Sequence, residues 1–553
     1  MTDILAALLD SCERTPDAPA LSLRRTTLRY RDLADRIHGV ASSLTAAGLK
    51  PGDRVLFSVR PGIDGICLAL GIIAAGGTVV FADPGAGDAM FRARAALAAP
   101  AWVAAESVLY AASSGPLRGI ARRRGLELPD YGTVVPDARH IYTGPWLPGV
   151  PRGALRFSRL SSALELGAKA ISGLRRDASA DGRPGRLITG ERSRYAAAPL
   201  LDQPGTAAPL LDQPGTAAPL LDQPHSEALI IFTSGTTDAP KAVVHSRESL
   251  GTGLDDFASA IGFVPGERVL TDQLMVGIPA LIAGAHWRLP PAGADPGARP
   301  EKYLDLLPGA DVLFAVPAAL DALLRMLEHT PAKTPTLRAL IVGGAPVLRP
   351  LLLRARAQLP GTVIRAVYGM TEILPVAIAD GDEKLAFTGA GDYVGQVMSH
   401  VSVRIDDGEL VVAGEGLALG YLGEPPLAEL RTGDLARIEA HRLVLAGRSK
   451  DMFIRGSTNV YPGLYEPVIA GLPGIAEAAI VGVPDDVGDD RLVLVIVPGD
   501  GYDEAALRRA LPGLIDSAAL PDRIMTMSDL PRSGRSHKLD RAALGRLVSE
   551  AFA

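Results

Sequence analysis

The sequence predicts an α/β protein: a large N-terminal domain of mixed and parallel sheets with helices and a small β unit, then a small, mobile α+β C-terminal domain. Short apolar strands alternate with helical segments over residues 1–145, and the alternation returns over 247–375. This alternation is typical of parallel sheets, because each return to the same sheet edge needs a crossover that is usually a helix. From Gly447 the pattern restarts as strand–helix–strand, and the rest of the chain suffices for a small domain. We therefore predict domains at 1–447 and 448–553.

The N-terminal region shows the alternation in detail. The sequence predicts a helix over 33–49, a strand over 54–59, a helix over 66–75 and a strand over 78–82. The apolar run 66–82 contains glycines and is shorter than the roughly 20 residues that a membrane-spanning helix needs. We expect helix–turn–strand in a protein core and no membrane span.

Further along the large domain, apolar runs predict strands at 311–317, 339–342 and 363–367. Short alternating runs over 400–446 predict the small β unit.

Bulk composition narrows the class of protein. The chain has 553 residues, of which 47% are hydrophobic, and a net charge of −6. That charge gives no global basic field, so we expect no nucleic-acid partner. Two cysteines, Cys12 and Cys67, make no disulfide framework or metal cluster. The first residues lack the basic segment of a signal peptide, and we expect a cytoplasmic protein.

Residues 146–224 differ from the rest of the large domain. The decapeptide AAPLLDQPGT occurs at 197–206 and again at 207–216, with a truncated copy at 217–224. A ten-residue period with two prolines is too short and too broken for a solenoid repeat. We interpret 146–224 as a flexible low-complexity insert. A role as a lid or a partner tether is the alternative.

The stretch LIIFTSGTTDAPKAVVHS, residues 229–246, carries the most chemistry. Apolar runs at 229–232 and 242–244 predict two strands, and a loop of small and hydroxylated residues joins them. Backbone N–H groups and hydroxyls in such a loop can surround a phosphate, and Lys241 adds a positive charge. The spacing is not that of a Walker A loop. An ordinary polar hairpin loop is the alternative interpretation.

Five further stretches follow in order: GGAP at 343–346, YGMTE at 368–372, RTGD at 431–434, GRSKD at 447–451 and PRSGRSHKLDR at 531–541. Together with the loop at 233–241 they resemble the adenylate-forming superfamily of acyl-CoA synthetases, luciferases and nonribosomal adenylation domains. The resemblance covers nearly the whole chain outside 146–224. Shorter strings at 60–64, 82–87 and 368–376 look like the fatty-acyl ligase relatives that include β-lactone synthetases.

The resemblance implies that a carboxylate attacks the α-phosphate of ATP and yields acyl-AMP and pyrophosphate, with Mg²⁺ as the metal. Glu372 and Thr233 would hold Mg²⁺, and Thr371 would contact the α-phosphate. The loop residues implied to bind the β- and γ-phosphates are Thr233, Ser234, Gly235, Thr236, Thr237 and Lys241.

The remaining ATP contacts are implied in the same way. Asp434 has acceptor oxygens for both ribose hydroxyls, and Arg448 can add a donor. The residues implied to form the adenine-side wall are Gly343, Gly344, Ala345 and Pro346. Tyr368, Gly369 and Met370 are implied to bind the nucleotide as well.

Two lysines belong to the C-terminal domain that the resemblance implies. Lys538 resembles the mobile lysine that contacts the carboxylate and the α-phosphate during adenylation. Lys450 lies where the family has its hinge residue, about which the small domain would rotate between two catalytic poses.

The chain departs from the family pattern at several positions. Asp238 and Ala242 stand where the phosphate loop usually has glycines, and the negative charge of Asp238 should weaken polyphosphate binding unless its side chain turns away. Ser457 and Leu464 replace a glycine and a glutamate in the segment that lines the pantetheine route of CoA ligases. His537 precedes Lys538 where glycine is common.

These features leave three functions open. The first is activation of an apolar, fatty acid followed by transfer to a thiol, most simply that of CoA, or that of a carrier protein. The second is adenylation of a β-hydroxy acid followed by β-lactone closure. The third is a non-catalytic scaffold that binds nucleotide or acyl ligand. We expect residues 272–281 and 343–376 to contribute to the acid pocket.

Overall fold

The structure, a computed structural model, describes most of the chain. The described residues are 2–86, 88–123, 128–161, 225–233, 240–440, 442–448, 453–455, 458–460, 462–484, 490–515, 519–533 and 538–551. Within them, two large sheets with helices form the N-terminal part, and smaller sheets form the C-terminal part.

The first sheet joins strands from the beginning, middle and end of the large domain. Its order is β17-β18-β20-β21-β16-β15-β14-β13-β12-β10-β11-β1-β2. These strands are β1 (Pro19–Leu23), β2 (Thr26–Arg29), β10 (Arg268–Leu270), β11 (His286–Leu289), β12 (Val312–Ala315), β13 (Ala339–Gly343), β14 (Val363–Met370), β15 (Ile373–Asp380), β16 (Asp392–Val397), β17 (Val401–Asp406), β18 (Glu409–Gly414), β20 (Leu430–Glu439) and β21 (Arg442–Arg448).

The second sheet has the order β19-β9-β8-β4-β3-β5-β6-β7. Its strands are β3 (Arg54–Ser58), β4 (Thr78–Phe81), β5 (Trp102–Glu106), β6 (Arg139–Thr143), β7 (Leu155–Arg156), β8 (Glu227–Thr233), β9 (Lys241–Ser246) and β19 (Gly420–Tyr421). The edge strand β19 comes from the chain between two strands of the first sheet, so this segment connects the two sheets.

The helices cover the sheets and fill the space between them. In the large domain they are α1 (Ile4–Arg14), α2 (Tyr30–Ala46), α3 (Ile63–Ala74), α4 (Asp88–Ala98), α5 (Ser107–Ser113), α6 (Arg118–Arg123), α7 (Tyr131–Val134), α8 (Phe157–Leu160), α9 (Arg247–Ile261), α10 (Leu274–Ile282), α11 (Pro300–Leu304), α12 (Pro317–His329), α13 (Arg349–Gln358) and α14 (Gly381–Ala386). Short 3-10 turns lie at Pro84–Ala86 and Pro331–Lys333.

The central strands and helices are apolar because they are covered on both faces. Leu340, Ile341 and Val342 of β13 are fully buried, as are most residues of α3. Gly71 lets α3 approach α2 closely, since a Cβ there would overlap the side chain of Val40. A buried ion pair between Arg247 and Asp3 fastens the N-terminus to α9.

The C-terminal part has its own core and also contacts the large domain. It contains β22 (Phe453–Arg455), β23 (Thr458–Val460), β24 (Ile475–Pro484), β25 (Asp490–Pro498), β26 (Arg523–Thr526), β27 (Arg532–Ser533), β28 (Lys538–Leu539), α15 (Pro462–Ala470), α16 (Glu504–Ala510), a 3-10 turn (Leu511–Gly513) and α17 (Arg541–Glu550). Strands β24, β25 and β26 form its sheet. Helix α15 lies against β21, where Gly463 approaches Gly447, and Leu348 packs on the C-terminal core.

The mixed α/β fold with a small C-terminal unit is confirmed, and two details differ from the prediction. The small β unit of 400–446 is the antiparallel end of the first sheet, because β16 and β21 pair directly with each other and β16 pairs with β15. Residues up to Ser161 of the predicted insert are structured, because Phe157 and Leu160 are buried in the core. The repeat at 197–224 lies outside the described residues.

In the described part of the chain, no helix combines the length and the apolar character needed to cross a membrane.

Candidate active site

The YGMTE stretch forms the end of a strand and a tight turn. Strand β14 continues through Tyr368 to Met370, which is three residues farther than predicted. Met370 pairs with Ile373 of β15, so Thr371 and Glu372 form the two-residue connection of an antiparallel hairpin. β14 runs parallel to β13, and the turn therefore lies at the carboxyl end of a parallel strand pair. In open α/β sheets this is the edge at which ligands bind.

Contacts from a distant segment hold Glu372 on two sides. The hydroxyl of Tyr421 donates a hydrogen bond of 2.7 Å to Oε1 of Glu372. The amide of Ala418 donates to the carbonyl of Glu372 at 2.8 Å. The carboxylate is therefore fixed in orientation although it lies in a turn.

Lys241 lies beside the same tyrosine. Its Nζ is 5.0 Å from the centroid of the Tyr421 ring. Lys241 begins β9 and pairs in register with Thr233 of β8, so these two residues close the base of the predicted phosphate loop. Ser234, Gly235, Thr236, Thr237 and Asp238 lie outside the described residues.

A buried histidine holds the other residue of the turn. His245 of β9 is 2% exposed, and its Nε2 lies 2.7 Å from the carbonyl oxygen of Thr371. A carbonyl oxygen only accepts, so Nε2 carries the proton, and in the neutral ring Nδ1 accepts from Ser249 Oγ at 3.2 Å. Burial lowers the pKa of His245, while the bond to Thr371 and the charge of Glu372 oppose this shift.

Asp434, the predicted ribose ligand, is held within the first sheet. The hydroxyl of Tyr368 donates to its Oδ2 at 2.6 Å, and its backbone amide donates to Thr432 Oγ1 at 3.1 Å. A carboxylate oxygen accepts more than one hydrogen bond, so this arrangement still permits a ribose hydroxyl as a second donor. Arg448 pairs with Asp434 across β20 and β21 by its backbone, and its side chain lies outside the described residues.

The GGAP stretch lies at the end of β13, next to β14. Gly343 pairs with Val367, and a Cβ at Gly343 would come within 3.0 Å of the carbonyl of Val367. Gly344 has a φ of 86°, which favours glycine. Ala345 and Pro346 lead into α13. The backbone therefore turns sharply next to Val367, the residue before Tyr368.

Gly369 is also closely packed. A Cβ added to it would come 3.1 Å from Cδ2 of Leu374 and 3.3 Å from Cα of Pro375.

The C-terminal lysine is placed on a short hairpin. Lys538 begins β28, pairs with Ser533 of β27, and has an exposed side chain. Arg532 of the same hairpin forms an ion pair with Glu477 of β24, which ties the hairpin to the small domain's own sheet. Lys450, Ser457 and His537 lie outside the described residues.

The pantetheine segment is described only in part. Glu466, in its downstream portion, accepts from the amide of Ile480 and forms an ion pair with Arg541 at 2.5 Å, so it serves the packing of the small domain.

The structure thus links four of the predicted large-domain residues in one connected row. Asp434 bonds Tyr368, the strand from Tyr368 leads to Glu372, and Glu372 is joined through Tyr421 to Lys241. Carboxylate and hydroxyl oxygens are ligands that suit Mg²⁺, so Glu372 and Thr233 fit that ion chemically. Among the described residues, no group of three or more histidine, cysteine, aspartate or glutamate side chains could hold a metal ion.

Sequence reasoning missed Tyr421 and His245. His245 lies within the 229–246 stretch, but the strand around it is buried on both faces and gives no sign of its partner. Tyr421 is far from Glu372 along the chain, and its two-residue strand is too short for a periodic signal. The pairing of β19 with β9 brings it to the site.

Comparison with known proteins identifies the class. The AMP-binding enzyme family model matches residues 8–422, and the AMP-binding enzyme C-terminal domain model matches residues 465–538. The first match covers more than half of the chain, so the protein belongs to the AMP-binding, adenylate-forming superfamily. The relatives that it resembles are named as acid–CoA ligases.

The relatives differ in the acids for which they are named. The methyl-dioxo-octahydro-indenyl-propanoyl:CoA ligase of Mycobacterium tuberculosis is 26% identical over 96% of both chains. The long-chain-fatty-acid–CoA ligase FadD13 of the same species is 28% identical over 55% of this chain and 64% of its own. The 2-succinylbenzoate–CoA ligase of Listeria monocytogenes is 27% identical over 57% and 69%, respectively.

Solved structures share the whole architecture. The amide bond synthetase McbA of Marinactinospora thermotolerans superposes with a TM-score of 0.72 at 20% identity, covering 99% of both chains. ATP-bound MatB of Rhodopseudomonas palustris has a TM-score of 0.71 at 22% identity, covering 100% of both. At these identities the likeness shows the fold alone.

Proposed function

We propose that the protein activates an apolar carboxylic acid with ATP and transfers the acyl group to the thiol of CoA. The observation that carries the proposal is the row from Asp434 through Tyr368 and Glu372 to Lys241. It offers acceptors for a ribose at one end and a cation for phosphates at the other. In a nucleoside triphosphate the ribose and the phosphates follow one another in the same order.

In the first step a carboxylate oxygen of the acid forms a bond to the α-phosphorus of ATP. The bond from that phosphorus to the oxygen shared with the β-phosphate breaks, and pyrophosphate leaves with the electron pair. Lys538 of the small domain would stabilise the charge on the α-phosphate, and Thr371 would contact the same group. In the second step a thiolate attacks the acyl carbon and AMP leaves.

Magnesium has a defined place in this proposal. Glu372 and Thr233 would hold Mg²⁺, which neutralises charge on the phosphates when bound. Lys241 and the loop at 233–241 would bind the β- and γ-phosphates, while Asp434 and Arg448 would bind the ribose. The small domain would rotate at Lys450 between the two steps.

An apolar acid is favoured by the segment predicted to line the pocket. In α10, Leu274, Met275 and Ile278 are half-buried and pack on the large core. The name of FadD13 indicates a long-chain fatty acid for that relative. We therefore propose a fatty or similarly apolar acid for this chain.

Product analysis by mass spectrometry tests the proposal. Wild-type protein is incubated with ATP, Mg²⁺ and a panel of fatty and β-hydroxy fatty acids, with and without CoA, and pyrophosphate release is followed in parallel. We expect pyrophosphate release with the apolar acids and an acyl-CoA only where CoA is present. Glu372→Gln should lose pyrophosphate release, whereas Glu383→Gln, which removes another tyrosine-bonded carboxylate, should not.

Other outcomes would change the function assigned. A dehydrated product that forms without CoA from β-hydroxy acids alone would replace thiol transfer by β-lactone closure. A carrier protein that accepts the acyl group while CoA does not would change the thiol. Absence of pyrophosphate with every acid would refute an adenylating enzyme and leave a nucleotide-binding scaffold.

A further inference from the structure

We propose that Tyr421 is a positioning residue with two separate tasks: its hydroxyl orients the carboxylate of Glu372, and its ring keeps that carboxylate apart from the ammonium of Lys241. The inference deepens the proposed function, because it concerns the residues proposed to bind Mg²⁺ and ATP phosphates. It rests on the strand register and on contacts to both charged groups.

Strand register explains why the tyrosine reaches both groups. Tyr421 pairs with Val243 in the antiparallel pair of β19 and β9, and Lys241 lies two residues before Val243 on the same face. Diagonal neighbours of this kind are within reach of an aromatic side chain. The amides of Leu419 and Leu422 donate to β9 at 2.8 Å on either side of this pair, so the backbone that carries the ring is fixed.

The hydroxyl is a dedicated donor to the carboxylate. A tyrosine phenol ordinarily keeps its proton at neutral pH and can therefore donate to a carboxylate. An ionised carboxylate only accepts, and Oε1 of Glu372 takes this proton at 2.7 Å. Among the described residues Oε2 accepts no hydrogen bond, so the orientation set by Tyr421 decides where a metal ligand points.

The tyrosine contacts two groups of opposite charge. Lys241 contacts its face at 5.0 Å from the centroid, and Glu372 is bonded to its hydroxyl. No ion pair joins Lys241 to Glu372 in the part of the chain that the structure describes. A direct pair would neutralise the cation needed for phosphate and the anion needed for metal. The tyrosine satisfies both groups by weaker contacts and leaves each available to a ligand.

Two substitutions separate the two tasks. Tyr421→Phe keeps the ring as a spacer and removes the donor, whereas Tyr421→Leu also removes the aromatic face and lets Lys241 reach Glu372. Tyr393→Phe is the matched control, because Tyr393 donates to Glu383 at the same 2.7 Å and is buried on β16. Melting temperatures should fall similarly in the two phenylalanine variants.

Metal binding is read directly, without turnover, from the electron paramagnetic resonance of Mn²⁺ titrated into protein with α,β-methylene-ATP. Tyr421→Phe should weaken Mn²⁺ binding about 10-fold, the lower end of the effect of removing a residue that supports a metal ligand. Binding of the nucleotide without metal should stay within about twofold of wild type, since Lys241 keeps its place. Tyr421→Leu should weaken both by about 10-fold or more, and Tyr393→Phe should change neither.

The same assay contains the results that would overturn the inference. Mn²⁺ affinity of Tyr421→Phe within about twofold of wild type would refute the orienting task. Equal metal-free nucleotide affinity in Tyr421→Leu and Tyr421→Phe would refute the separating task. Both results are distinct from failure of the proposed function, in which wild-type protein itself releases no pyrophosphate with any acid.

Discussion

The two ends of the candidate site are built in different ways. At the Glu372 end, a turn of the first sheet is held by Tyr421 and His245, which both belong to the second sheet. At the Asp434 end, the carboxylate and its partner Tyr368 both belong to the first sheet. The metal and phosphate end therefore depends on how two sheets meet, whereas the ribose end depends on the register within one sheet.

The largest effect is expected at Lys538, which belongs to neither end. Lys538→Ala should lower pyrophosphate release by at least about 10²–10³-fold, because the variant lacks the ammonium that would stabilise the charge on the α-phosphate. ATP binding should stay largely intact, since the contacts at both ends remain. Lys333→Ala, which removes a surface lysine paired with Asp305, is the control. Full adenylation by Lys538→Ala would remove this lysine from the mechanism.

The ribose end of the site can be disrupted without changing the metal and phosphate end. Asp434→Asn should raise the KM for ATP about 10-fold, because hydrogen bonds to a charged acceptor are roughly twice as strong as neutral ones. The KM for 2′,3′-dideoxy-ATP, which lacks the ribose hydroxyls, should change little. Tyr368→Phe should give a smaller change in the same direction. Equal losses with both nucleotides would show that Asp434 does not contact the ribose.

The metal and phosphate end of the site is tested by substitution of His245. His245→Ala should lower kcat/KM for ATP with Mg²⁺ by about 10-fold, the equivalent of about 1.4 kcal/mol, which is the upper range for one hydrogen bond. His245→Gln should recover most of this loss, because its amide N–H can take the place of Nε2–H. If alanine and glutamine behave alike, the bond to Thr371 does not position the turn.

His245 should also make the stability of the protein depend on pH. Burial lowers the pKa of His245 in the folded protein from its ordinary value of 6.5. At a pH below about 6.5, this histidine is therefore protonated in the unfolded chain and still neutral in the folded chain. Stability should therefore fall as the pH drops below about 6.5, by at most about 1.4 kcal/mol per pH unit from this group. Urea unfolding measured at several pH values between 5 and 6.5 should show that the free energy of unfolding depends less steeply on pH in His245→Gln than in wild type. Some pH dependence of the free energy of unfolding should remain in this variant, because burial also lowers the pKa values of His140 and His286.

The smallest effect is expected for deletion of 197–216. Strands β7 and β8, which flank this region in the chain, are five positions apart in the second sheet, or about 24 Å. Roughly eight extended residues span that distance, so the rest of 162–224 suffices as a connection. Pyrophosphate release should stay within about twofold of wild type, because linker length alone changes stability little. A large loss in a well-folded deletion would assign the repeat a function.

Local sequence predicted one part of this site and could not predict the other. The strands at 229–232 and 242–244, the motif residues and the mixed α/β class followed from patterns that each lie within a few residues. Tyr421 and His245 could not be found in this way, because their partners lie 49 and 126 residues away. The same reason explains the small β unit, since alternation along 400–446 gives no information on which sheet those strands join.

The edge strand β19 also bears on how this chain can be divided. A fragment that stopped before Ala418 would leave the carbonyls of Val244 and Ala242 on β9 without the amides of Leu419 and Leu422, and open strand edges promote aggregation. It would also lack the two donors that hold Glu372. An autonomous large domain, or a split pair intended to reassemble, should therefore be cut beyond β21, so that residues 418–422 stay on the same polypeptide as the turn they hold.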